Sequence, residues 1–123
     1  MGNIKHNSII FHSCNLEDIN EAREEAVKIY EKHKKESSKL VSEIISTITN
    51  YGASFFIAPD GSKEGWDTSK CIDEAREELL DWLKNHKDNY TDYIEVRFGG
   101  DDEHELIVRS KDSGLNAWGD NIC

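Results

Sequence analysis

Much of what usually signals chemistry is missing from this sequence. Its three cysteines, Cys14, Cys71 and Cys123, are odd in number and share no CxxC spacing. That argues against a disulfide scaffold and a structural zinc site, and it fits a reducing compartment. No apolar run approaches the length of a membrane span. The opening MGNIKHNSII lacks the apolar core of a signal peptide, and His6 stands where myristoylation requires Ser or Thr. No GxSxG elbow or family-like cysteine motif offers a nucleophile. No glycine-rich loop cradles phosphate, because FGGDD puts two acids where the phosphate would sit. The five histidines, at 6, 12, 33, 86 and 104, fall on different elements, and the one close pair, His12 and Cys14, supplies too few ligands for a metal. The expectation is a cytosolic protein with no catalytic residues, no metal and no cofactor.

What is present describes an acidic folded domain. The 123 residues suit one domain with a modest core, and 37% hydrophobic with 33% charged residues is a globular composition. A formal net charge of −10 repels nucleic acid and anionic membrane, so neither is expected as a partner. An anionic ligand requires local cations or backbone N–H groups to overcome that field. A cationic protein is the plainer partner.

The pattern predicts a single α+β domain over 1–123. NSIIFHS (7–13) reads as a strand. Asn15 caps a helix over about 15–36, whose apolar positions are Leu16, Ile19, Ala22, Ala26, Ile29 and Tyr30. KLVSEIISTIT (39–49) and ASFFIA (53–58) read as the second and third strands, and Pro59-Asp60-Gly61 as a turn. Thr68 or Ser69 caps a second helix with Ile72, Ala75, Leu79, Trp82 and Leu83 on its apolar face, ending near Lys87. YIEVRFG (93–99) and HELIVRS (104–110) form a hairpin around GDD. The order β-α-β-β-α-β-β implies a mostly antiparallel sheet of about five strands under two amphipathic helices.

Pairing Gly99 with Glu103 sets the hairpin register. Ile94, Val96, Phe98, Leu106 and Val108 then share the core face. Arg97 stands opposite Glu105 on the other face, and Arg109 opposite Tyr93, which leaves the Arg109 fork free for phosphate while the ring braces it.

The carboxylates read mostly as solvated helix faces, so the sharper candidates are aromatic and cationic. The chain has only four arginines, and Arg23 and Arg76 are placed on helix surfaces. In SFFIAPDGSKEGW (54–66), Phe55 and Phe56 point to opposite sides of a strand, so one is core and the other needs a different cover. A dimer interface is favoured over a ligand for that role. Trp66 is a cover for the core or a stacking platform, and Lys63 beside it supplies a mobile cation. Phe56, Lys63, Trp66, Tyr93 and Arg109 are therefore the candidate ligand-binding residues. The apolar residues of the tail GLNAWGDNIC also suggest docking on a second copy.

SFFIAPDGSKEGW, together with YIEVRFGGDDEHELIVRS, resembles the first Thoeris anti-defence family of bacteriophage proteins, over most of the chain. The resemblance implies a sponge, acting in the host bacterial cytoplasm, that sequesters a cyclic ADP-ribose isomer made by TIR-domain enzymes without cleaving it. Some members also capture other cyclic nucleotides. It implies an α+β protomer forming a homodimer or higher homo-oligomer, with the SFFIAPDGSKEGW loop and Arg109 carried over. Gly52-Ala53 departs from the larger or basic residue expected before the phenylalanines. The competing reading is an acidic protein–protein inhibitor or DNA mimic, presenting EDINEAREEA (17–26) and DEAREELLD (73–81) to a host protein.

Overall fold

The computed structural model describes residues 6–63, 65–99 and 106–111. Five strands, β1 (His6–Ser13), β2 (Ile45–Ser46), β3 (Ala53–Ile57), β4 (Asp92–Phe98) and β5 (Leu106–Ser110), form one antiparallel sheet in the order β2-β3-β1-β4-β5. Two helices, α1 (Leu16–His33) and α2 (Asp67–Asn85), complete an α+β fold. The Asn15 side chain caps α1 by accepting from the backbone N–H groups of Glu17 (2.9 Å) and Asp18 (3.2 Å). Glu17 and Asp18 in the first turn and Lys32 and His33 in the last complement the helix dipole.

Strand alternation gives the sheet two unlike faces. Ile9, Phe11, Phe55 and Ile57 point to the helices, where Ile19, Ala22, Ala26 and Ile29 of α1 and Ile72, Ala75, Leu79 and Leu83 of α2 are buried with them. The Phe11 and Phe55 rings stack at 4.4 Å between centroids. Leu16, expected on the apolar face of α1, lies outside this core at 49% exposure. Outside the core, Glu78 of α2 ties the two helices, 2.5 Å from Lys32 Nζ and 2.6 Å from His33 Nε2.

Several expectations are corrected. The strand expected over 39–49 is a 3₁₀ turn (Ser37–Leu40), a single bridge from Val41 to Ile57, and the two residues of β2. Local side-chain bonds replace the ladder there: the Ser42 hydroxyl accepts from Phe56 N at 2.8 Å, and Thr47 Oγ1 accepts from Gly52 N at 2.9 Å. The second helix begins at Asp67, because Gly65, at φ 94°, turns the chain into it with Trp66 as the N-cap. Cys14 is disulfide-bonded, against the expectation from cysteine spacing, while Cys71 is free.

The larger correction concerns the C-terminal hairpin. Register shifts between Glu95 and Val96, so Arg109 stands opposite Glu95 and Arg97 opposite Leu106. A bulge adds one residue to one strand and breaks the regular alternation that fixes a register from sequence. The faces are also reversed. Tyr93 and Glu95 point to the helices, while Ile94, Val96 and Phe98 point away from them. The Gly99–Glu103 and Arg97–Glu105 pairs and the tail GLNAWGDNIC involve residues outside those described.

Candidate functional site

The helix-facing row of β4 places a carboxylate where a sheet of this kind would bury an apolar side chain. Glu95 is 1% exposed. Taking a lone carboxylate out of water costs several kcal/mol, so partners must surround it. Three do. Arg76 of α2 brings its Nε to 3.0 Å, Asn7 of β1 donates its amide at 2.8 Å, and Arg109 of β5 donates its Nε to the other carboxylate oxygen. The site thus draws on a helix and three adjacent strands.

These groups form one end of a polar cleft of about 200 Å³ between the first half of α2 and the β4–β5 edge. Three of the four arginines in the chain, Arg76, Arg97 and Arg109, line it. Asp60, Asp73, Glu77 and Glu95 line it too, so three cations meet four carboxylates in a formal balance of −1. Asp73 accepts from Arg76 one helical turn away, and Asp60 accepts from the Ser62 hydroxyl. The cleft is nearly neutral within a chain of net charge −10.

Electrostatics keep Arg109 firmly charged. Burial works to lower its pKa, but the hydrogen bond to Glu95 and that carboxylate's charge outweigh burial and raise it. With Nε committed to Glu95, the terminal nitrogens of Arg109 make no further hydrogen bond among the described residues. They form the open edge of a planar fork suited to two acceptor oxygens. Below the pair, burial raises the pKa of the Tyr30 phenol well above its ordinary value, with Arg76 opposing the shift.

Of the five candidate residues from sequence, Arg109 alone lines this cleft. Lys63 and Trp66 lie in the adjoining loop, with Nζ 5.9 Å from the ring centroid in cation–π geometry and the indole 54% exposed. Ser62 and Ser69, on either side of them in the chain, do reach the cleft. Tyr93 is a core side chain, 7% exposed, its ring 6.3 Å from that of Phe11. Burial raises its pKa and nearby Arg109 partly offsets the rise. It does not present a face to a ligand. Phe56, 42% exposed, lies on the opposite side of the sheet from Arg109, so the two do not meet in one site of one protomer.

Glu95, Arg76 and Asn7 are the members that the sequence pattern does not single out. Arg76 carries a signal nonetheless. It sits four residues after Ile72 and three before Leu79, inside the apolar stripe of α2, and is 7% exposed. An arginine at such a position needs a buried acid.

Among the described residues, no group of three His, Cys, Asp or Glu side chains is placed to hold a metal ion, and no helix is long and apolar enough to cross a membrane. No protein-family model matches this chain, and no curated protein matches it.

Proposed function

We propose that the protein is a non-catalytic binder that sequesters a cyclic ADP-ribose isomer, and that it acts as a phage anti-defence factor in the bacterial cytoplasm. The observation carrying this reading is the convergence of three of four arginines on one cleft, with the terminal nitrogens of Arg109 making no hydrogen bond among the described residues. The resemblance of SFFIAPDGSKEGW and its partner motif to the Thoeris anti-defence sponges supports the choice of ligand.

Size divides the roles. Ligand pockets for whole small molecules usually span about 300–1,000 Å³. A cleft of about 200 Å³ suits the pyrophosphate and leaves the rest of the ligand outside it. The exposed Trp66 ring, with Lys63 beside it, is the stacking surface assigned to adenine on this reading. A sponge acts by stoichiometry and needs a Kd near the nanomolar range, about −12 kcal/mol.

The test is calorimetry with the TIR-generated cyclic ADP-ribose isomer, followed by heat denaturation and chromatography of what is released. Intact ligand, in proportion to protein, is the expected result. Cleaved product in excess over protein would make the protein an enzyme.

A second reading, inhibition of a basic host protein, is favoured by one feature. A broad groove of about 600 Å³ between α1 and α2 is lined by Glu25, Glu74, Glu77, Glu78 and Asp81. On that reading the calorimeter records no uptake of any nucleotide.

A further inference from the structure

The face of the sheet that points away from the helices is almost without charge. Alternation and register place Ile10, Phe56, Ile94, Val96, Phe98 and Ile107 on it. Ile45 of β2 joins them from its pairing with Ser54. The polar positions among them are serine and histidine: His6, Ser8, His12, Ser54 and Ser110. Among the described strand residues the one charged position on this side is Asp92, at the margin opposite His12. An antiparallel sheet with one solvated face normally alternates polar side chains outward. Here 33% of all residues are charged, yet they avoid this face.

We infer that this face is the interface of a homodimer, in which two copies stack sheet on sheet. Two observations select a second copy over other occupants. The first is charge. A two-fold interface sets a patch against itself. In a chain of net charge −10, the acidic helices would meet themselves in like-charge opposition, whereas this face sets only the marginal Asp92 of its described strand residues against a like charge. The same net charge, with no lysine or arginine on the face among the described strand residues, disfavours seating on an anionic membrane.

The second is area. Ile10, Ile45, Phe56, Phe98 and Ile107 are 48%, 62%, 42%, 41% and 63% exposed. With Ile94 and Val96 between them, the patch offers roughly 600 Å² per copy at typical side-chain areas. Two copies then bury roughly 1,200 Å², the threshold for a stable interface.

Facing sheets pack about 10 Å apart, with strands about 30° from parallel. The product is four layers, helices outermost and a shared apolar centre. The arginine cleft lies on the helix side of each sheet, so pairing leaves it open and does not depend on its occupancy.

Sedimentation velocity on the full chain over a concentration series tests the arrangement. The expected species is a dimer at micromolar concentration. Phe56→Lys and, separately, Ile107→Lys on edge strand β5 are each expected to weaken association about a hundred-fold or more by burying a charge. Far-UV circular dichroism identifies either variant that fails to fold, and the folded one decides. Lys28→Glu, exposed on α1, keeps the dimer. A wild-type monomer overturns the inference, whatever then covers the face. So does a dimer that persists unchanged in a folded lysine variant.

Discussion

Glu95 of β4 and Arg76 of α2 are both buried, 1% and 7% exposed, and meet at 3.0 Å. The pair joins the sheet to the helix layer at the cleft, and Arg109 closes it from β5. Its energetics are asymmetric. Forming such a pair gains little net stability over apolar packing, but removing one partner strands a charge.

Glu95→Ala is therefore expected to destabilise the fold by about 3–5 kcal/mol, since it leaves Arg76 and Arg109 without their shared acceptor. Urea unfolding followed by circular dichroism measures it. A loss below about 1 kcal/mol, the range of a surface pair, would mean that water already solvates the site.

Arg109→Ala is expected to cost about 1–3 kcal/mol in stability, because it removes a charged donor from a buried carboxylate. A few tenths would suit the exposed, unpartnered arginine that the sequence suggested. Arg109→Lys keeps the charge and loses the planar fork. Its stability should fall less than that of Arg109→Ala, while affinity for the cyclic ADP-ribose isomer falls about ten-fold to a hundred-fold. Calorimetry beside urea unfolding separates the two effects. Equal affinity in wild type and Arg109→Lys would remove the fork from the binding site.

Asn89, 1% exposed, fastens the connection between α2 and β4. Its amide donates to the Asp18 carbonyl and to Glu21, both at 2.9 Å, and its carbonyl oxygen accepts from Thr91 N at 2.9 Å. Asn89→Ala leaves a buried Asp18 carbonyl and the Thr91 N–H without that partner, at about 1–3 kcal/mol. Faster hydrogen exchange at Thr91, with exchange in β1 unchanged, is the local signature.

Acid sensitivity has a definite sign. Hydrogen bonds from Lys32 and His33 hold the Glu78 pKa below its ordinary 4.5, and those from Asn89 and His86 do the same for Glu21. A depressed folded pKa means stability that is present above pH 4.5 and is lost as pH falls through the lowered values. Denaturant titrations from pH 7 to pH 3 should show that loss beginning near pH 4.5. Glu78→Gln should flatten the slope, and because the pair is exposed the change is at most about 1 kcal/mol.

The sequence makes the two helices legible because apolar spacing controls them. Ile19, Ala22, Ala26 and Ile29 are buried where the period puts them, and Asn15 caps as its side chain allows. Phe55 and Phe56 part to opposite faces as strand alternation requires. The hairpin exists where the two β-rich runs flank GDD, but its register rests on a bulge at Glu95 and Val96 that leaves no compositional trace. Which face of β4 meets the helices was illegible for a related reason. A row holding Glu95 reads as solvent-facing unless Arg76, Asn7 and Arg109 are already known to gather there, and those contacts cross the whole chain.

The central place of β1 constrains how the protein is made. Its two neighbours, β3 and β4, lie far downstream, and Asn7 reaches its acceptor on Glu95 across 88 residues. As the chain leaves the ribosome, His6–Ser13 emerges with both edges bare and apolar side chains on both faces. One edge is covered when Ala53–Ile57 arrives, the other when Asp92–Phe98 does. Long-range pairing of this kind folds slowly, and a bare apolar strand invites other chains in the interval. Crowded synthesis of this protein should therefore draw on chaperones that shield a nascent strand, and a ribosome stalled before Asp92 would present a chain that cannot complete its own sheet.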